Sequence, residues 1–64
     1  MNNLELYKTF YYVAKAGSIT AAAQQLSLTQ PAVSQSMKQL EAQLNVSLFQ
    51  RTAKGIRLTK EGEI

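Results

Sequence analysis

From Leu4 to Ala16 the apolar residues Leu6, Tyr7, Phe10, Val13 and Ala14 recur at steps of three and four, the spacing that gathers side chains on one face of an α-helix. Gly17 stands where such a helix can end in a left-handed turn, and Ser18 where a hydroxyl can cap the next helix by accepting a backbone N–H bond. A second helix is expected from Ile19 to Leu26, carried by the helix formers Ala21, Ala22, Ala23, Gln24 and Gln25. It is too short to persist without tertiary packing.

Ser27-Leu28-Thr29 interrupts the pattern, with Thr29 a good N-cap and Pro31 placed in a first turn where its missing N–H has no intrahelical partner. A third helix is expected from Gln30 to Leu44, with Val33, Met37, Leu40 and Leu44 on one buried stripe. At about 100° per residue, Pro31, Gln35, Lys38 and Ala42 point the opposite way, with Ser34 on the flank. Asn45 suits a left-handed helix end. Beyond it, Leu48-Phe49-Gln50-Arg51 and Ile56-Arg57-Leu58 read as two short strands around the turn Thr52-Ala53-Lys54-Gly55, a β-hairpin with glycine where positive φ is needed. Thr59 can cap a further helix, with Glu61 near its positive end, but Ile64 is reached before two turns are complete. The expected fold is therefore mainly α, a winged helix-turn-helix: a three-helix core, a two-stranded wing and the start of another helix. Residues 1–58 form the domain and 59–64 the incomplete helix.

A chain of 64 residues buries only about 60% of the surface that its unfolded form exposes. With no cysteine and no histidine it has neither a disulfide nor a zinc site to support it, so its core must hold it, helped by dimerisation if that occurs. No metal or other cofactor is expected. The apolar runs are far shorter than the roughly 20 residues of a membrane span. Met1-Asn2-Asn3-Leu4-Glu5 lacks the basic start and apolar middle of a secretory signal, which fits a cytoplasmic chain. The net charge of +3 matters less than its placement. Arg51, Lys54, Arg57 and Lys60 follow one another with no acid between them, whereas Glu5, Glu41, Glu61 and Glu63 lie elsewhere or after them. An enzyme is disfavoured, because no histidine or cysteine is present and none of the four glutamates forms an obvious pair in this arrangement.

Two helices joined by a three-residue turn, the second with a polar outer face, have the geometry that lets one helix enter a DNA major groove. Ala23 is small where the two helices must cross, Leu26 and Leu28 are expected to bracket the turn from inside, and Ser27 stands where many such motifs carry glycine. The groove-facing set is Gln30, Pro31, Ser34, Gln35 and Lys38. Glutamine can pair with adenine, serine adapts, and lysine suits phosphate or guanine. Thr20 can offer its hydroxyl and a helix N-terminus to a phosphate. In the hairpin, Lys54 at the tip can reach a minor groove while Arg51 and Arg57 lie against phosphates. Taken residue by residue the groove-facing set reads better as a solvated polar face, and Thr20 reads equally as a plain first-turn threonine; placed together at the start of the second helix of a helix-turn-helix, with an acid-free basic hairpin behind, they favour contact. Tyr7 and Phe10 are assigned to the core. Tyr11 and Tyr12, at the edge of the first helix, are open between an interface and solvent.

With these residues in view, the chain resembles the N-terminal winged helix-turn-helix domain of LysR-type transcriptional regulators. The resemblance runs through Phe10 to Ala14, Gly17-Ser18-Ile19-Thr20, Ala22-Ala23 with Leu26, Thr29-Gln30-Pro31-Ala32-Val33-Ser34-Gln35, Leu40-Glu41 with Leu44, Leu48-Phe49-Gln50-Arg51, and Leu58-Thr59 with Glu61-Gly62. It implies base reading by Gln30, Pro31, Ser34 and Gln35, phosphate contacts by Thr20, Thr29, Lys38 and Arg51, and a minor-groove contact by Lys54. It also implies double-stranded promoter DNA with an inverted repeat as the partner, and a full-length homodimer or tetramer. A C-terminal domain, missing here, would sense a small-molecule effector. The helix after Thr59 would then begin a long linker that pairs with its partner's, so a fragment is expected, monomeric or weakly dimeric by itself. Asn45 replaces the family's usual glycine and Met37 its usual isoleucine. A winged-helix module that binds protein is the competing reading, since the fold serves both purposes. Such a module has no need of the basic wing.

Overall fold

A computed structural model describes residues 3–63. Met1 and Asn2, part of the segment read as lacking a signal, and Ile64, the last residue of the expected linker start, lie outside the described residues. Helix α1 spans Asn3–Ala16, α2 Ile19–Leu26 and α3 Gln30–Leu44; strands β1 (Phe49–Thr52) and β2 (Gly55–Leu58) follow, then a 3-10 turn at Glu61–Glu63. The strands pair antiparallel with Phe49 opposite Leu58, Gln50 opposite Arg57, Arg51 opposite Ile56 and Thr52 opposite Gly55.

The helix ends form as local chemistry dictates. Gly17 closes α1 at φ +68, its N–H donating to Val13 O at 2.9 Å. Ser18 Oγ accepts from Ala21 N at 3.2 Å and Thr29 Oγ1 from Ala32 N at 3.2 Å, so both predicted N-caps are made. Ser27 ends α2 in the left-handed region at φ 57, with Leu28 N–H donating to Ala23 O and Ser27 N–H to Gln24 O, the paired bonds of a Schellman motif. Asn45 likewise ends α3 in the left-handed region at φ 56, its own N–H and that of Val46 both donating to Glu41 O. At the hairpin, Ala53 and Lys54 keep negative φ and Gly55 alone takes φ +133, so glycine is needed after the reversal.

Val13, Ile19, Ala22, Ala23, Val33 and Met37 fill the junction of the three helices. A second cluster of Leu6, Leu40 and Leu48 lies beside it, and Phe10 and Phe49 pack against both. Each fully buried aliphatic side chain here contributes about 1.5–3 kcal/mol of transfer free energy. Three expectations need correction. Leu44 is 39% exposed, at the rim of an apolar hollow that it shares with Tyr7, Phe10, Val46 and Leu48. Tyr7 is 48% exposed, and its place on the inner face of α1 goes to Thr9, whose hydroxyl donates to Glu5 O at 2.9 Å and so can be buried without an unmet polar group. Leu28 is exposed rather than inside the turn. Beyond them the cap expected at Thr59 is made, Gly62 N donating to Thr59 Oγ1 at 3.1 Å, and over Glu61–Glu63 the chain takes a 3-10 turn in which Glu63 N donates to both Thr59 O at 3.2 Å and Lys60 O at 3.3 Å.

Candidate nucleic-acid interface

The outer face of α3 is the one its inner stripe leaves over. Gln30, Pro31, Gln35 and Lys38 are exposed and Ser34 is half-buried, as the helical period requires. Thr29, Pro31, Ala32, Ser34, Gln35 and Lys38 line one shallow recess on this face. A second cleft adjoins it, lined by Ser18, Ile19, Thr20, Gln30, Arg51, Thr52, Gly55 and Ile56, so that the start of α2, the start of α3 and the wing meet there. Ten site residues were expected. Thr20, Gln30 and Arg51 share the cleft, and Thr29, Pro31, Ser34, Gln35 and Lys38 share the recess.

Lys54 and Arg57 are exposed on the wing and line neither concavity. In the antiparallel register Arg51 stands opposite Ile56 and Arg57 opposite Gln50, which puts the two arginines on opposite faces of the hairpin. Phe49 and Ile56, on the Arg51 face, pack against the core, so Arg51 leans over the helices and Arg57 faces outward. Arg51 Nη2 donates to Ser34 Oγ at 2.9 Å, joining the wing directly to the recognition face.

Two contacts hold the wing in that position. Ile56 N–H donates to Gly17 O at 3.2 Å, tying β2 to the turn between α1 and α2. A Cβ on Gly55 would collide with that same carbonyl oxygen. At the other end, Leu48 N donates to Glu41 Oε2 at 2.8 Å, while Leu48 O accepts from Thr59 N at 2.9 Å and extends the hairpin's own ladder. Glu41 thus anchors the wing from α3, although its position within a helix suggested only separation from the basic run. A glutamate ahead of a helix end and a loop with bare N–H groups was the available signal. Thr52 was also missed: its hydroxyl donates to Gly55 O at 3.2 Å and accepts from Lys54 N at 3.3 Å, stiffening the tip that carries Lys54.

The comparisons agree with this geometry. Residues 4–63 match the family model described as "Bacterial regulatory helix-turn-helix protein, lysR family". The chain belongs to this family. Among relatives of this LysR-type domain, the HTH-type transcriptional activator CmpR of Synechocystis sp. is 43% identical over 60 residues, covering 94% of this chain and 20% of that protein. The HTH-type transcriptional regulator YtlI of Bacillus subtilis is 46% identical over 61 residues, covering 95% and 20%. The LysR-type chain therefore spans about a fifth of the length of the curated relatives it matches. Its fold is similar to that in the crystal structure of the CbnR DBD–DNA complex, with TM-score 0.89 and 43% identity over 98% of this chain and 71% of that one. It is also similar to the BenM DBD/catB site 1 DNA complex, with TM-score 0.91 and 31% identity over 97% and 70%. No helix among the described residues is long and apolar enough to cross a membrane.

Proposed function

We propose that this LysR-type domain binds double-stranded DNA sequence-specifically as the reading head of a cytoplasmic transcriptional regulator, without catalytic activity. The observation that carries the reading is the joined surface of α3 and the wing: an exposed polar helix face beside a basic hairpin, bridged by Arg51 and Ser34. Similarity to the CbnR and BenM domains in their DNA complexes supports it. A major groove about 12 Å wide admits one helix, and α3 presents Gln30, Pro31 and Gln35 to base edges, with Ser34 beside them bonded to Arg51. Thr20, Thr29, Lys38 and Arg51 meet the phosphates on either side. Lys54 reaches the minor groove from the hairpin tip, and Arg57 adds charge on the wing's outer face.

For the whole protein, the reading implies a homodimer or tetramer on a promoter inverted repeat, with a small-molecule effector sensed by a further domain. The 64-residue chain in isolation is a monomer or weak dimer that holds a half-site poorly. Titration of duplex DNA against salt tests the proposal. Affinity should fall steeply with ionic strength, and Lys54→Ala should weaken binding on every sequence. Salt-independent binding, or a partner captured only through protein contacts, would favour the protein-binding alternative.

A further inference from the structure

The geometry points to Ser34 as a positioning residue for Arg51, so that the recognition helix sets the wing's phosphate grip as well as facing the bases. This deepens the DNA-binding reading and rests on it. Arg51 lines the cleft shared with Thr20 and Gln30, yet its Nη2 reaches across to Ser34 in the neighbouring recess at 2.9 Å. The guanidinium has five N–H donors, and this bond engages one nitrogen while the rest of the fork remains available. Its acceptor is a neutral hydroxyl, so the positive charge is held in place without being neutralised.

The strand bearing Arg51 is itself fixed. Its cross-strand partner Ile56 donates to Gly17 O, and Phe49, two residues before it, packs on the core. The side chain is therefore the remaining mobile part, and a flexible arginine must lose rotamer freedom when it meets a phosphate. Seating it beforehand on Ser34 removes part of that cost. Since a phosphate contact carries no sequence information, the gain applies equally to every DNA sequence. A serine that read a base directly would behave in the opposite way, changing preference at one position.

The test measures affinity of the 64-residue chain for a short duplex of arbitrary sequence and for duplexes selected from a random pool, with Ser34→Ala, Ser34→Thr, Arg51→Ala and the Ser34→Ala/Arg51→Ala pair. Ser34→Ala should weaken both classes of duplex by the same factor, about threefold, and leave the selected base profile unchanged. Arg51→Ala should lower the salt slope by about one, and adding Ser34→Ala to it should cost nothing further. Ser34→Thr, which keeps the hydroxyl, should restore binding. The inference is overturned if Ser34→Ala costs the same threefold in the Arg51→Ala background, or if it changes the base profile alone. A wild-type chain that binds neither duplex would instead overturn the DNA-binding reading itself.

Discussion

Replacing Gly55 by alanine should undo the docking of the wing while leaving the helical core in place. Two costs combine. The residue sits at φ +133, a region in which an L side chain costs about 1–3 kcal/mol. Its new Cβ would also run into the Gly17 carbonyl oxygen, which belongs to the backbone and cannot rotate aside. Relief requires β2 to lift, and the Ile56 N–H to Gly17 O bond, worth about 0.5–1.5 kcal/mol net, is then lost. The expected loss is about 2–4 kcal/mol, against the roughly 3–10 kcal/mol that a chain of this length holds in total. Gly17→Ala is the matched control: it also has positive φ, +68, but nothing lies within 4 Å of the added Cβ, so only backbone strain of about 1–2 kcal/mol applies. Urea denaturation of both variants, with amide exchange at Ile56, separates the two terms. Equal losses in the two variants, or an Ile56 amide still protected in Gly55→Ala, would show that close approach to Gly17 does not dictate the glycine.

Ser27→Gly should stabilise the domain by about 0.5 kcal/mol in thermal or urea unfolding, because relief of the left-handed strain at φ 57 exceeds the added freedom of the unfolded chain. Glu41→Ala should cost about 1–2 kcal/mol through the loss of its charged bond to Leu48 N, and Glu41→Gln, which keeps an acceptor oxygen, should recover part of it; equal effects of the two would remove the hydrogen bond as the cause. Gln35→Ala should relax preference at one or two base positions in selection from a random pool while leaving the salt slope of binding as it was. An unchanged profile would take Gln35 out of the base-reading set.

Elements whose cause is local were legible from the residues alone. The caps Ser18 and Thr29, the left-handed ends at Gly17 and Asn45, and the inner stripe Val33, Met37 and Leu40 each depend on near neighbours or on helical period. The same period fixed the free face of α3, and with it most of the candidate base-reading set. Leu44 and Tyr7 show the limit of that reasoning, since periodicity states which face a residue shares but not whether another element extends far enough to cover it.

The winged helix-turn-helix and the place of its polar face thus follow from the order of residues, because helix period, capping and turn chemistry act within a few positions along the chain. How the wing sits on the helices was decided only in three dimensions. Gly17 receives Ile56 from 39 positions away, Glu41 holds Leu48, and Arg51 finds Ser34 across 17 positions. Those partners lie within reach only in the fold that the core around Phe10 and Phe49 holds together, and the pairing of strands sets Arg51 toward the helices and Arg57 away from them.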